Sequence, residues 1–285
     1  MEARSFVLRG VLAGAVAGLV AWLFSLVFAE PQIDAAIAYE EGRGEAEATL
    51  ATAAGSPPAG GAEEEIVSRG VQATLGIGVG MVGIGVALGL LFAVAYTLLH
   101  GRVALRPRVL ALVVAGAGFL TIYATPFVKY PASPPAVGSD ETISDRTALY
   151  LVMVVGSLVF LAAAVAVTRL VRERLGLWNA VLVGGVVYVA LSAILMTVLP
   201  GLGELTINVV ENGPRASETP LPLRDAAGTI IYPGFDADVL YDFRLASFTA
   251  QLLLWGVLGL VFGGLVERRL ARGESSDRTP EVTAA

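Results

Sequence analysis

Residues 148–199 read ALYLVMVVGSLVFLAAAVAVTRL-VRERLG-LWNAVLVGGVVYVALSAILMTVL, and this stretch indicates the class of fold most directly. Two apolar runs, 148–170 and 177–199, flank a short link that is rich in arginine. A helix needs about 20 residues to cross a hydrocarbon core about 30 Å thick, and each run is long enough. The pair therefore predicts two membrane-spanning helices joined by a tight basic loop.

The same kind of apolar run occurs four more times, at residues 5–29, 71–99, 109–125 and 245–266. The sequence thus predicts an all-α, polytopic membrane protein with six transmembrane helices. The first run begins like a secretory signal peptide, but its charge-free part exceeds the about 7–15 residues of a signal's apolar region. We therefore expect it to remain as a helix.

The segments between the runs differ in charge on the two sides of the predicted membrane. With a cytoplasmic N-terminus, the inner segments carry 12 of the 19 basic residues and 6 of the 25 acidic ones. The inner side is then +6 and the outer side −12. Short inner loops rich in arginine follow the positive-inside rule, so both termini are predicted to be cytoplasmic.

The composition excludes several classes of protein. Hydrophobic residues make up 55% of the chain and charged residues 15%, whereas soluble domains have about 45–50% and about 25%. Cysteine is absent, which excludes disulfides and thiolate metal sites. The single histidine, His100, has no catalytic partner near it in sequence, and no P-loop or zinc-protease motif occurs. The sequence does not predict an enzyme.

A single transmembrane domain is predicted over residues 1–272, followed by a disordered cytoplasmic tail at 273–285. The predicted outer segments are 30–70, 126–147 and 200–244. The first of them begins with an acidic stretch, 32–47, that is predicted to be helical. Odd-numbered runs start near an inner arginine, and even-numbered runs start just after an outer one. This pattern is compatible with three copies of one helical hairpin and also with the ordinary spacing of loops in a helical membrane protein.

Glycines spaced four residues apart predict close helix contacts. Small residues let helix backbones approach in a bilayer, where hydrophobicity does not drive helices together. The predicted packing positions are Gly14, Gly18, Gly76, Gly80, Gly85, Gly89, Gly259 and Gly263. The glycine-rich second helix either packs closely or bends and lines a path.

Ionisable side chains concentrate at the predicted outer boundary, since none lies well inside an apolar run. Carboxylates there are candidates to contact a divalent cation, because such cations favour oxygen ligands and a negative face concentrates them. These ion-path candidates are Glu30, Asp34, Glu40, Glu41 and Glu204. The alternative is that acidic and basic side chains pair with each other and order the loops.

The string PFVKYPASPPAVG at residues 126–138 continues into TISDRT at 142–147. Together with EPQIDAAIAYEE at 30–41, VSRGVQ at 67–72 and FRLAS at 243–247, it resembles the CbtA family of predicted cobalt transporter subunits. The predicted outer-vestibule motif takes residues from four of these strings, all except 30–41: Arg69, Gln72, Lys129, Tyr130, Pro134, Asp145, Arg146 and Arg244. Segments 50–61 and 208–232 exceed the family pattern, and no site residue is predicted there.

The resemblance implies cobalt uptake linked to cobalamin synthesis, in the plasma membrane of a prokaryote. It also implies a small single-helix partner, CbtB, that carries histidines. With one histidine and no cysteine, this chain lacks the usual nitrogen and sulfur ligands for Co²⁺, which the partner would supply. No tightly bound cofactor and no nucleic-acid partner is expected, and Ni²⁺ remains an alternative substrate. The competing interpretation is a non-transporting membrane scaffold for a metal-handling partner.

Overall fold

The computed structural model describes residues 2–55 and 76–277, and most of these residues are helical. In this part of the chain, five helices are long and apolar enough to cross a membrane. They span Arg4–Phe28, Ile77–Leu99, Pro107–Lys129, Asp140–Glu204 and Ala237–Arg269. These helices are those of an all-α membrane protein, as the apolar runs predict.

Helices α1 (Glu2–Phe28) and α2 (Glu30–Ala53) follow each other with only Ala29 between them. Pro31 lies in the first turn of α2, where a missing backbone N–H leaves no hydrogen bond unmade. The predicted acidic helix at 32–47 is confirmed, and it extends further at both ends.

The third candidate span contains three helical pieces. After α3 (Ile77–Leu99), α4 (Pro107–Gly118) passes through a π-helical turn, Phe119–Ala124, into α5 (Thr125–Lys129). A proline removes one intrahelical hydrogen bond, and π-helical turns accommodate such irregularities, often near functional sites. The predicted run 109–125 therefore continues to Lys129, which places the start of the 126–138 string on the end of a helix.

Helix α6 (Ile143–Val198) contains a reversal of chain direction at Gly176, whose φ of 75° and ψ of 165° are not helical. Contacts across it pair residues in reverse order: Thr168 Oγ1 donates to the Ala180 carbonyl at 3.3 Å, and Gly156 lies against Leu195. The two halves are thus antiparallel helices. The predicted loop 171–176 is helical up to this glycine.

The segment between α6 and the last helix departs from the all-α pattern. It contains α7 (Thr206–Asn212) and a small antiparallel hairpin of β1 (Leu223–Arg224) and β2 (Ile230–Tyr232). The Asp225 carboxylate closes the hairpin turn by accepting from the backbone N–H of Ala227 at 2.9 Å and Thr229 at 2.8 Å. Strands of two and three residues are too short to show an alternating pattern in the sequence.

The last helix, α8 (Ala237–Asp277), is longer at both ends than the predicted run 245–266. It continues five residues into the predicted tail 273–285, of which 278–285 lie outside the described residues. The sequence predicts one domain over 1–272. In the structure, backbone contacts group the chain into two compact units. In the described residues, the first unit comprises 2–26, 76–119 and 249–277, and the second 27–55 and 120–248.

Glycines hold the first unit together. Gly14 and Gly18 of α1 lie so close to α3 that a side-chain carbon at either would overlap its backbone. Gly85 and Gly89 of α3 approach α1 in the same way. Backbones this close are possible only where the side chain is a hydrogen atom, and close approach maximises dispersion contact between membrane helices.

The remaining predicted packing glycines divide into two groups. Gly259 and Gly263 of α8 face Ala111 and its neighbours on α4. Gly80, by contrast, faces open space, and Gly76 is exposed at the beginning of α3. Gly80 precedes Gly85 by five residues, or about 140° around an α-helix, which turns it away from the α1 contact.

Candidate functional site

The second unit contains a group of polar residues that is built from all three predicted outer segments. Arg43 of α2 forms an ion pair with Glu47 at 2.9 Å and donates to the Leu221 carbonyl at 2.8 Å. Tyr39, one turn earlier, donates to the Pro233 carbonyl at 3.0 Å and packs edge-on against Phe235. Helix α2 is thereby fixed against the chain on both sides of the hairpin.

The 126–138 string forms an ordered loop after α5. The buried Tyr130 hydroxyl donates to the Pro200 carbonyl at 2.9 Å, which joins this loop to the end of α6. Pro134 is buried, and its carbonyl accepts from the Val137 N–H at 3.2 Å. The prolines and the tyrosine of the string therefore shape the loop itself.

A buried carboxylate, Glu218, lies at the centre of the polar group. Its Oε1 accepts from Thr142 Oγ1 and from Asn208 Nδ2, both at 2.7 Å. Its Oε2 lies 3.7 Å from an Arg146 Nη1, and the Glu218 side chain is only 4% exposed. A carboxylate is costly to bury unless it is hydrogen-bonded and paired, and here both conditions are met.

The partners of Glu218 are themselves held in place. Arg146 also donates to the Ser139 carbonyl at 3.2 Å, and Thr142 Oγ1 lies 2.9 Å from the same carbonyl. Gly138 adopts a φ of 123° directly against the Arg146 guanidinium, where a side-chain carbon would overlap it. The backbone conformation therefore favours glycine at this position, and a side chain there would displace the Arg146 guanidinium.

Asn208 connects Glu218 to the start of α7. Its Nδ2 donates to the Leu202 carbonyl at 2.8 Å as well as to Glu218. Gly203 lies against the backbone of Arg215 and Ser217, so the chain before α7 and the chain around Glu218 are in direct contact. The carboxylate thus joins the 139–146 region, the 201–208 region and its own segment.

Two cavities meet at Glu218. The larger, about 570 Å³, is bordered by Glu40, Arg43, Glu47, Arg215 and Arg224 together with Glu218. The smaller, about 300 Å³, is bordered by Lys129 and Arg244 as well as by Glu218. Arg146 and Tyr130 border a third, of about 220 Å³. Four residues of the predicted vestibule motif therefore border cavities in one unit: Lys129, Tyr130, Arg146 and Arg244.

The predicted ion-path carboxylates do not come together in the same way. Glu30, Asp34, Glu40 and Glu41 follow one another along α2, and all but Glu30 are exposed. Glu204 is exposed elsewhere and accepts from the Gly201 N–H at 2.6 Å, which caps a short 3₁₀ turn. Within residues 2–55 and 76–277, no group of three histidine, aspartate or glutamate side chains could hold a metal ion.

The other predicted vestibule residues have varied surroundings. Arg244 donates through Nε to the Ala132 carbonyl at 3.2 Å, and Lys129 Nζ lies 5.8 Å from the centre of the Tyr130 ring. Asp145 is exposed in the first turn of α6. Arg69 and Gln72 lie outside the described residues.

Burial raises the pKa of Tyr130 above the usual value for a phenol, and the nearby Glu204 carboxylate raises it further. Both effects disfavour the phenolate, the first by removing water and the second by repulsion between negative charges. Tyr130 therefore stays neutral and keeps donating its hydrogen bond to Pro200.

Sequence reasoning missed Glu218 and Asn208, because both lie in the segment 208–232, where no site residue was predicted. Glu218 lies between Ser217 and Thr219 in a stretch without periodicity, and no local pattern distinguishes it from an exposed glutamate. The sequence offered one indirect indication of such a carboxylate. Arg146, in the TISDRT string, is a basic residue near the membrane surface, where it needs an acidic partner.

A comparison with protein-family models matches residues 3–267 to the family described as "Probable cobalt transporter subunit (CbtA)". No curated protein and no solved structure matches the chain. The family match covers every outer segment that builds the polar group around Glu218, and it covers the candidate spans of the described residues except the last two residues of the final one. The chain belongs to the CbtA family of probable cobalt transporter subunits.

Proposed function

We propose that this chain is the membrane subunit of an uptake system that moves Co²⁺ inward, with Ni²⁺ as a second substrate to be tested. The observation that carries the proposal is the family match over residues 3–267. The apolar helices support it, because a protein of this kind must span the membrane that its substrate crosses.

In this proposal the chain crosses the plasma membrane of a prokaryote six times, with both termini in the cytoplasm. The reversal at Gly176 supports six crossings: α6 has 56 residues, about 84 Å at 1.5 Å per residue, and a bilayer core is about 30 Å thick. Split at Gly176, its two antiparallel halves each match one crossing. The arginine-rich inner loops support the orientation.

The outer residues have two roles in the proposed mechanism. Glu30, Asp34, Glu40, Glu41 and Glu204 attract the cation and pass it to the membrane part. The vestibule motif holds the outer segments in shape, and the contacts of Arg146 with Glu218 and of Tyr130 with Pro200 support this role. The word subunit in the family description supports a partner, which we propose to be a CbtB-like single-helix protein in a system linked to cobalamin synthesis.

The test is cellular cobalt content at limiting cobalt, in cells that express this chain and the single-helix partner together, singly or not at all. We expect accumulation to require this chain and to saturate with Co²⁺. Equal accumulation without it would contradict uptake and would favour the alternative, a scaffold that positions a metal-handling partner without transporting.

The ion-path assignment has its own test in the same cells. Glu30→Gln and Asp34→Asn should lower uptake while the protein remains in the membrane, because each removes a negative charge from the proposed path. Glu45→Gln is the matched control, since Glu45 is exposed on the same helix and is not part of the proposed path. Unchanged uptake in both test variants would overturn the assignment of these residues to the ion path. It would not decide whether the chain takes up cobalt, which the measurement of cellular cobalt tests.

A further inference from the structure

The smaller cavity beside Glu218 is bordered by two cationic side chains that come from different elements. Lys129 ends α5, and Arg244 lies in α8. The hydroxyl-bearing residues Ser133, Ser217 and Thr219 complete its polar boundary. At about 300 Å³ the cavity is at the lower end of the sizes found for small-molecule sites.

Neither cation has an acidic partner in the described part of the chain. Lys129 Nζ is placed over the Tyr130 ring, and Arg244 Nε donates to the neutral Ala132 carbonyl. Among the described residues, no carboxylate oxygen lies within 4.0 Å of either side chain's nitrogens, whereas Arg43, Arg108 and Arg146 each have such a neighbour. Cationic groups that are partly removed from water are costly without a counter-charge.

Among the residues that the structure describes, Glu218 is the carboxylate that borders this cavity, and it does not supply the counter-charge. Glu218 Oε1 accepts hydrogen bonds from Thr142 and Asn208, and Oε2 lies 3.7 Å from Arg146 Nη1. Lys129 and Arg244 therefore give the cavity a surplus of positive charge. A bare divalent cation would be repelled there, and an anion would be attracted.

We propose that this cavity binds a carboxylate-bearing small molecule, specifically a small polycarboxylate. The planar Arg244 guanidinium suits the two oxygens of a carboxylate, and Lys129 supplies a compact positive charge. The Ser133 and Thr219 hydroxyls donate to remaining oxygens, whereas the Ser217 hydroxyl already donates to Thr219. Polycarboxylates also chelate divalent metals through oxygen. Resting on the proposed function, the inference is that the metal arrives at this site as a carboxylate chelate and that the carboxylates of the proposed ion path take the cation from it.

The binding test uses the purified full-length chain in detergent, with citrate, inorganic phosphate and chloride at matched ionic strength as probes in calorimetric titrations. We expect saturable citrate binding that Lys129→Gln and Arg244→Gln each weaken about tenfold or more, the range for losing one charge-assisted contact. Arg172→Gln, an exposed arginine of the same unit far along α6, should bind as the wild type does. Arg244→Lys keeps the charge but not the planar pair of donors, so it should restore part of the binding lost in Arg244→Gln, which separates loss of the site from loss of folding.

The outcomes distinguish this inference from the proposed function. Absent citrate binding, or binding that all three glutamine variants weaken equally, overturns the site. Binding of phosphate without citrate overturns the polycarboxylate assignment. Cobalt uptake that requires this chain but is the same for cobalt citrate and for the free ion overturns the chelate and leaves the uptake function intact. Citrate binding that depends on Lys129 and Arg244, in a chain without cobalt uptake, supports the site and contradicts the proposed function.

Discussion

Replacing Glu218 with glutamine tests whether the buried carboxylate holds the outer segments together. The amide oxygen can still accept from Thr142 and Asn208, but the amide nitrogen would face the Arg146 guanidinium, so two donors would oppose each other. Breaking a buried ion pair costs about 3–5 kcal/mol. Because the Arg146 side chain is 26% exposed and the pair is 3.7 Å apart, we expect a value at the lower limit, about 3 kcal/mol.

The assay is amide hydrogen exchange in detergent, which reports local opening free energies. A loss of about 3 kcal/mol corresponds to somewhat more than a hundredfold faster exchange through local opening. The effect should appear in residues 201–220 and 139–146, the segments that Glu218 joins. Glu141→Gln, an exposed glutamate of the same region, is the control and should stay within about 0.5 kcal/mol of the wild type. If Glu218→Gln also stays within that limit, the carboxylate does not hold these segments together and the reasoning is refuted.

Three further predictions concern stability. Gly85→Ala should lower the free energy of unfolding in detergent by about 1–3 kcal/mol, because the added methyl group overpacks against α1. Gly80→Ala should raise it slightly, because Gly80 faces open space and alanine favours the helix. Equal effects of the two variants on thermal unfolding would contradict the α1–α3 contact. Tyr130→Phe should lower the free energy of unfolding by about 1 kcal/mol, because it leaves the Pro200 carbonyl without its hydrogen bond. The folded chain retains the Tyr130 proton at a pH where the unfolded chain has lost it. The difference in unfolding free energy between the wild type and Tyr130→Phe should therefore shrink as pH rises above about 10. A difference that grows there would contradict the raised pKa of Tyr130. Gly176→Ala should lower the free energy of unfolding by about 1–3 kcal/mol, because a φ of 75° with a ψ of 165° is a conformation that alanine adopts only with strain. Unchanged thermal stability would indicate that the turn does not need glycine.

The membrane architecture was predictable because a bilayer imposes its thickness on every span. Runs of about 20 apolar residues have few alternatives to a spanning helix. Helix ends were less predictable: α8 begins at Ala237, since nothing in a helix requires its first turns to be apolar. The hairpin at 223–232 was not foreseen, because it depends on the side chain of Asp225 and on contacts with α2.

The resemblance picked out four residues that border cavities in the second unit, but it did not pick out the buried carboxylate near them. Lys129, Tyr130, Arg146 and Arg244 come from strings with unusual local composition, and a resemblance can identify such strings. Glu218 acquires its importance from Thr142, which is 76 residues away in the sequence, and a single sequence records no such pairing. The same limit explains the glycines: spacing identifies a ridge of small residues, but only the fold decides that Gly85 meets a neighbour and Gly80 does not.

The most direct test of the central claim is Co²⁺ entry into liposomes that contain this chain and the single-helix partner, under an inward cobalt gradient. Liposomes with the partner alone are the control. We predict entry that is faster than in the control and that saturates as the external Co²⁺ concentration rises. Equal rates with and without this chain would contradict a transporting role and would leave the scaffold as the better account of the protein.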